Sequence, residues 1–160
     1  MDHIWSPWRY RYVSTAAAGD ACIFCSKSAA GRDEENHIVH RGERNFVILN
    51  LYPYTNGHLM VAPYEHVASI EEVAEAAAVE MMLLVRRAAQ HLREIYQPRG
   101  LNLGMNIGEC AGAGIAGHIH MHVVPRWPGD ANFMSVVGET RVMPEDISET
   151  YRKLKEAFGE

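Results

Sequence analysis

Short apolar runs separated by turn residues predict β-strands in the middle and second half of the chain. Residues 46–53 (FVILNLYP) and 58–63 (HLMVAP) flank a turn that contains Pro, Asn and Gly. The segments 101–108 (LNLGMNIG) and 117–125 (GHIHMHVVP) have a similar apolar character, and a further strand is predicted at 136–142. These segments give five strands.

A helical period dominates the region between the second and third of these strands. Its apolar residues recur every three or four positions and form one stripe: Val73, Ala77, Met81, Leu84, Ala88, Leu92 and Ile95. Ser69 and Glu72 match a capping box, so we predict a helix over 69–98 with a break near 75–79. A second helix is predicted over about 144–158. Helices grouped apart from strands that meet in short turns favour an α+β fold with an antiparallel sheet.

Length and charge narrow the class of protein. We treat residues 1–160 as a single domain with an N-terminal arm over 1–20, because 160 residues suffice for one hydrophobic core. The net charge of −5, without a block of Lys and Arg, argues against binding to nucleic acid. No apolar run reaches the ~20 residues that span a bilayer, and the N-terminus lacks the pattern of a secretory signal. We therefore expect a cytoplasmic protein that does not associate with membranes.

The segment 117–127 (GHIHMHVVPRW) carries three histidines at strictly alternating positions. In a strand, His118, His120 and His122 share one face at ~6.6 Å intervals, and the apolar residues between them face the core. A single histidine in a sheet is most often merely hydrogen-bonded. Three histidines side by side pay the cost of desolvating an imidazole three times, which folding alone does not require. The pattern therefore predicts a functional site with an accessible polar edge. Metal binding, general base catalysis and nucleophilic catalysis all remain open.

The glycine-rich loop before these histidines favours one class of chemistry. Residues 108–117 (GECAGAGIAG) include Gly112 and Gly114, whose backbone N–H groups we expect to contact phosphate oxygens. A nucleophilic imidazole beside such a loop suits phosphoryl or nucleotidyl transfer better than ester hydrolysis. Asn50 and Arg126 are further candidate contacts to the ligand.

The three cysteines do not suggest a disulfide framework, because their number is odd and no export signal is evident. Cys22 and Cys25 form a C-x-x-C pair, which fits a redox pair, half of a zinc site or a chance spacing, and Cys110 is expected to have no role. The redox interpretation lacks the surrounding βαβ pattern. A zinc site needs two more ligands, for which His66 and His118 are candidates. We expect the remaining histidines to lie on the surface: His3, His37, His40 and His91.

The alternating motif at 118–124, His-φ-His-φ-His-φ-φ, resembles the signature of the histidine triad family of nucleotide hydrolases and transferases. The resemblance extends to CIFC at 22–25 and to FVILNLYPYTNGHLMVAP at 46–63. The opening WSPWR at 5–9 and the segment PRWPGDANFM at 125–134 look like the diadenosine tetraphosphate phosphorylase branch of that family. The resemblance to the histidine triad family covers nearly the whole chain. It implies the family's fold, a five-stranded antiparallel sheet with helices packed on it.

The resemblance also implies an activity, nucleotidyl transfer on a dinucleoside polyphosphate such as diadenosine tetraphosphate. His120 matches the family's nucleophile, which attacks the α-phosphorus and forms a nucleotidyl-histidine intermediate that water or phosphate then resolves. His122 would stabilise the charge on the same phosphate. Asn50 matches a ribose contact, and His58 matches a histidine close to the triad. The predicted nucleotide-binding residues are thus Asn50, His58, Asn106, Gly112, Gly114 and His122.

The resemblance to the family also implies a structural zinc ion and a homodimer. Zinc-bearing members of the family take their ligands from the positions of four residues here: Cys22, Cys25, His66 and His118. Zinc on His118 would stiffen the segment that carries His120. Family members commonly form twofold dimers in which the two sheets join.

One departure from the family lies in the loop before the triad. Many members carry Gln followed by Ser or Thr there, whereas this chain reads Ala113-Gly114-Ile115. Backbone amides would then contact the phosphates. Three other functions remain compatible with the sequence: a purine nucleoside phosphoramidase, a nucleotide-binding regulatory protein with little turnover, and a zinc-stabilised interaction domain.

Overall fold

A five-stranded antiparallel sheet forms the centre of the computed structural model, which describes residues 22–130 and 144–159. Its strands are β1 (Ile38–Arg41), β2 (Asn45–Leu49), β3 (Leu59–Pro63), β4 (Gly100–Gly104) and β5 (Met121–Arg126), in the spatial order β1-β2-β3-β5-β4. The α+β architecture expected from the sequence is therefore confirmed. The predicted arm over 1–20 and the predicted strand at 136–142 lie outside the described residues.

Four α-helices accompany the sheet in this part of the chain. They are α1 (Ile23–Ala29), α2 (Asp33–Asn36), α3 (Glu75–Tyr96) and α4 (Ile147–Gly159), and two 3₁₀ turns span Ile70–Glu72 and Glu109–Ala111. The sequence patterns predict α3 and α4 but not α1, α2 or β1. Among the described helices, we find none with the length and apolar character that a bilayer span requires.

The long helix begins later than its sequence pattern suggests. Ser69 and Glu72 do form a capping box, but it caps the 3₁₀ turn rather than α3. The break expected near 75–79 lies at residues 73–74, after which α3 runs without interruption to Tyr96. The predicted stripe is confirmed, because five of its members are buried against the sheet: Ala77, Met81, Leu84, Ala88 and Leu92.

The strand that carries the histidine motif is shorter than predicted. β5 begins at Met121, so His118 and His120 precede it rather than lie within it. The backbone N–H of Ile119 donates to the carbonyl of Val67 at 2.8 Å, which ties this segment to the loop after β3 instead of to a neighbouring strand. Ile119 and Val123 are buried as predicted, but His118 and His120 are buried as well. The accessible polar edge expected from the alternation is therefore wrong for these two histidines, and only His122 of the three is partly exposed.

Both faces of the sheet are covered. One face packs against α3 and α4 through a cluster that includes Val47, Val61, Val123 and Leu154. The opposite face packs against α1 through a smaller cluster of Phe24, Ile38, Phe46, Ile48, Met60 and Ala62. This second face is the one on which the histidines lie, because Phe24 contacts the rings of His118 and His120.

Three histidines expected on the surface are partly buried instead, so that prediction is wrong for them. Phe158 near the end of α4 stacks on His40 with ring centroids 5.3 Å apart and meets His91 edge-on at 4.8 Å. His37 contacts the edge of Tyr151. The docking of α4 on β1 and α3 covers these rings. No short-range pattern in the sequence predicts this packing.

Candidate active site and metal centre

His120 is held as a neutral imidazole with a defined hydrogen position. Its Nδ1 lies 2.8 Å from the backbone carbonyl oxygen of His118, so Nδ1–H donates and Nε2 keeps its lone pair. Burial lowers the pKa of His120, and its side chain is only 5% exposed. The ring of Phe24 packs against it at 4.8 Å. An unprotonated, oriented Nε2 is what a nucleophile or a general base requires.

His122 has the opposite proton arrangement, which a chain of hydrogen bonds sets. The backbone N–H of Tyr54 donates to Nδ1 of His58 at 3.1 Å, so the proton of His58 resides on Nε2. That Nε2–H donates to Nδ1 of His122 at 2.9 Å, which leaves the proton of His122 on its own Nε2. Burial, and the repulsion that a protonated His120 would exert, lower the pKa of His122 to about 4. Neutral His122 is therefore a hydrogen-bond donor beside an acceptor, His120.

The turn before β3 positions His58. Gly57 has a φ of +75°, and a Cβ on it would lie 2.8 Å from Cδ2 of Leu92, so the turn requires glycine. His58 itself is 0% exposed, and the amide of Asn50 lies 3.4 Å from its Nδ1. The sequence predicts His58 as a nucleotide contact, and this stays a prediction; in the structure its Nε2 bonds to His122.

A cavity of about 340 Å³ opens beside His122. Its polar lining includes the predicted residue Asn106, together with Thr55, Asn102 and Arg126. Within this cavity, Nη1 of Arg126 donates to Asn102 at 2.7 Å, and its Nε and Nη2 donate to Asp130. The sequence predicts Arg126 as a ligand contact because it is a polar residue close to the alternating histidines. No pattern in the sequence predicts Thr55 or Asn102 as part of this cavity.

The structure does not bring all predicted ligand contacts to one cavity. Asn50 and His58 border a second cavity of about 550 Å³, which is also lined by Glu145, just before α4, and by Thr150 in its first turn. Gly112 and Gly114 lie in the loop before the triad and are not among the described lining residues of either cavity. Their contact with phosphate stays a prediction.

Four potential metal ligands meet on the other side of the triad. The ligand atoms of Cys22, Cys25, His66 and His118 all lie within 4.8 Å of one another, although 96 residues separate the first from the last. Nδ1 of His118 is 3.3 Å from Sγ of Cys22 and 3.5 Å from Sγ of Cys25, and Nδ1 of His66 is 3.4 Å from Sγ of Cys25. Ligands of a tetrahedral zinc ion are separated by about 3.5 Å, so the arrangement fits such an ion.

The hydrogen bond on the far side of His118 supports the same interpretation. Its Nε2 lies 2.9 Å from the carbonyl oxygen of Pro63, so Nε2–H donates and Nδ1 keeps its lone pair toward the thiols. Metal-binding histidines usually donate their second N–H to a carbonyl or carboxylate in this way. Burial of His118 lowers its pKa, which also favours the neutral ligand form.

Comparison with known proteins agrees with this geometry. A family model described as the HIT domain matches residues 32–129. The "AP-4-A phosphorylase" of Mycobacterium tuberculosis (strain CDC 1551 / Oshkosh) is 37% identical, with 96% of this chain and 83% of that protein covered. The chain belongs to the histidine triad (HIT) family. The resemblance drawn from the alternating histidines is thereby confirmed.

Solved HIT structures share the fold. A Zn-bound histidine triad family protein from Mycobacterium smegmatis superposes with a TM-score of 0.69 at 29% identity, covering 87% of this chain and 94% of that one. A hypothetical histidine triad nucleotide-binding protein from Sulfolobus tokodaii strain7 also gives 0.69, at 28% identity, covering 86% and 92%. The five-stranded HIT fold expected from the motif is confirmed.

Proposed function

We propose that this HIT protein is an enzyme that transfers a nucleotidyl group from a dinucleoside polyphosphate, with His120 as the nucleophile. The observation that carries the proposal is the pair of opposite tautomers, a lone pair on Nε2 of His120 beside a proton on Nε2 of His122. The similarity to an AP-4-A phosphorylase makes diadenosine tetraphosphate the substrate that we favour.

The two tautomers define the roles in each step. Nε2 of His120 attacks the α-phosphorus, a P–N bond forms, and the bond from that phosphorus to the bridging oxygen breaks, which releases ATP. Nε2–H of His122 donates to the phosphate as negative charge develops in the transition state. An acceptor oxygen then attacks the phosphorus, the P–N bond breaks, and the lone pair returns to His120. In this scheme Asn50 contacts the ribose, and Asn106 and the backbone of Gly112 and Gly114 contact the phosphates.

The acceptor that we propose is inorganic phosphate, on the strength of the 37% identity to a phosphorylase. The test is to identify the products from diadenosine tetraphosphate with and without phosphate. ADP and ATP that appear only when phosphate is present support phosphorolysis. AMP and ATP without added phosphate would instead identify a hydrolase.

Replacement of the nucleophile separates an enzyme from a nucleotide-binding regulatory protein. We expect His120→Asn to lower turnover by about 10³-fold or more, because the variant loses the imidazole lone pair that attacks the phosphorus. Binding of a non-hydrolysable analogue should change little. His91→Asn is the matched control, because His91 lies on α3 and packs against Phe158 of α4. This variant should retain turnover. Equal turnover of His120→Asn and the wild type would contradict a covalent role for His120.

We also propose that Cys22, Cys25, His66 and His118 hold one structural zinc ion. The donor set, its spacing and the bond from His118 to Pro63 support this, as does the similarity to a Zn-bound HIT protein. Bound there, zinc would restrain the segment between His118 and His120 and leave no ligand position for water. We expect about one zinc per purified chain and a marked fall of the melting temperature after chelation. Cys25→Ser should lower the zinc content, whereas Cys110→Ser should not.

Finally, we propose a homodimer in which two copies join at β4. Among the described strands β4 pairs only with β5, and its residues Asn102, Leu103 and Gly104 are exposed. An exposed strand edge with apolar residues favours pairing with another chain. At the opposite edge of the sheet, β1 packs against α4.

A further inference from the structure

The two cysteines of the candidate metal centre occupy an accessible position at the start of α1. Cys22 is the N-cap of this helix, and Cys25 lies in its first turn. Both are partly exposed, and the nearby ligand His66 is exposed, whereas His118 is buried. The two thiols and His66 are therefore accessible from solvent, while His118 lies on the buried side of the centre, toward the triad.

We propose that Cys22 and Cys25 are a reversible oxidation site, at which a peroxide converts the two thiols to a disulfide and so displaces a bound metal ion. One thiolate attacks the peroxide and becomes a sulfenic acid, with loss of water or hydroxide. The second thiolate attacks the sulfenic sulfur, the S–S bond forms, and a second water or hydroxide leaves. The two sulfurs lose two electrons, and the peroxide gains them. The spacing favours closure, because a C-x-x-C pair in the first turn of a helix readily forms a disulfide.

The fold connects this site to His120 by two short routes. Phe24 lies between the two cysteines in the sequence, and its ring packs on both His118 at 5.1 Å and His120 at 4.8 Å. The carbonyl of His118 accepts the hydrogen bond from His120 that sets its tautomer. A disulfide would remove two ligands from the metal, release His118 from it and change the backbone around Phe24. Oxidation is therefore expected to disturb the orientation of His120.

Cys110 provides an internal comparison. It is also a free thiol and is more exposed than the pair, but no second cysteine adjoins it within the described residues. Peroxide can carry it to a sulfenic acid, but it has no resolving thiol within its own chain. The Cys110→Ser variant thus removes the background thiol and keeps the proposed site.

The experiment uses zinc-loaded full-length Cys110→Ser protein titrated with hydrogen peroxide. Three readouts require no activity: loss of the mass of two hydrogen atoms in the Cys22–Cys25 peptide, zinc released to a chromogenic chelator, and the imidazole NMR signals of His120 against those of His91. We expect one zinc released per disulfide and a shift of the His120 signals while those of His91 stay unchanged. Dithiothreitol with zinc should reverse all three changes.

Turnover is a fourth readout, which rests on the proposed function. It should fall about tenfold on oxidation and recover on reduction, because a group that orients the nucleophile is lost. Oxidation to sulfinic acid instead of a disulfide, or a disulfide that leaves zinc and the His120 signals unchanged, overturns the inference. If the reduced protein never turns over a dinucleoside polyphosphate, the proposed function fails. The peptide mass, the zinc release and the NMR signals then still test the proposed oxidation site.

Discussion

At the scale of single residues, the candidate site depends on how two neighbouring histidines acquire different tautomers. A backbone carbonyl accepts the Nδ1 proton of His120, whereas His58 donates a proton to Nδ1 of His122. Identical side chains two residues apart thus become an acceptor and a donor. Each is neutral near pH 7 because burial lowers its pKa, to about 4 for His122.

Replacement of His58 tests this arrangement without touching the reacting atoms. We expect His58→Ala to lower kcat by about 10- to 100-fold with little change in KM, because His122 loses the partner that fixes its proton. His58→Gln should restore part of kcat, since its side-chain N–H can donate to Nδ1 of His122. Steady-state kinetics of both variants provide the measurement. A change in KM alone would indicate that His58 serves in substrate binding instead.

At the scale of elements, one carboxylate joins α3 to the turn between β1 and β2. Glu80 accepts hydrogen bonds from the backbone N–H groups of Glu43 and Arg44 and from the amide of Asn45. Partial burial by itself raises the pKa of Glu80, but these hydrogen bonds together bring it below its ordinary value of 4.5. The bonds therefore stabilise the ionised form in the folded protein.

The stability of the fold should depend on pH through this carboxylate. Its pKa is lower in the folded protein than in the unfolded chain, so the stabilisation is complete above 4.5 and is lost as pH falls through the folded pKa. We expect Glu80→Gln to lower the free energy of unfolding by about 1–2 kcal/mol at pH 7. The difference from wild type should shrink below pH 4.

Urea denaturation at pH 7 and at pH 3.5 gives both values. Glu71→Gln, in the exposed 3₁₀ turn before α3, is the matched control and should leave stability unchanged at either pH. A Glu80→Gln penalty of the same size at both pH values would mean that ionisation of Glu80 contributes nothing.

At the scale of the whole molecule, β4, the last strand of the sheet among the described residues, should determine the oligomeric state. Leu103 in β4 is 50% exposed, and an exposed apolar edge strand favours pairing with another chain. If the proposed dimer forms at β4, we expect Leu103→Arg to convert it to a monomer, because two arginines at a twofold edge repel each other and are costly to bury. Ile70→Arg, at an exposed apolar residue away from β4, should remain dimeric. Light scattering with size-exclusion chromatography measures both, and a wild-type monomer would refute the proposed dimer.

Much of this protein follows from local patterns in its sequence. Turn residues between apolar runs predict β2 and β3, and the stripe in α3 identifies the residues that face the sheet. The alternating histidines identify the family and predict the site, because burying three imidazoles repeats a desolvation cost that folding alone does not require. These features are local, so the spacing of residues along the chain is enough to reveal them.

The tertiary structure decided what each histidine can do. His58 reaches His122 across 64 residues only because β3 pairs with β5, with Met60 opposite His122. The late start of β5 depends on the bond from Ile119 to Val67, and the burial of His40 and His91 depends on the docking of α4. Hydrogen positions, burial and pKa are set by partners that are distant in the chain. Spacing along a sequence cannot specify them, because they arise only when the elements pack together.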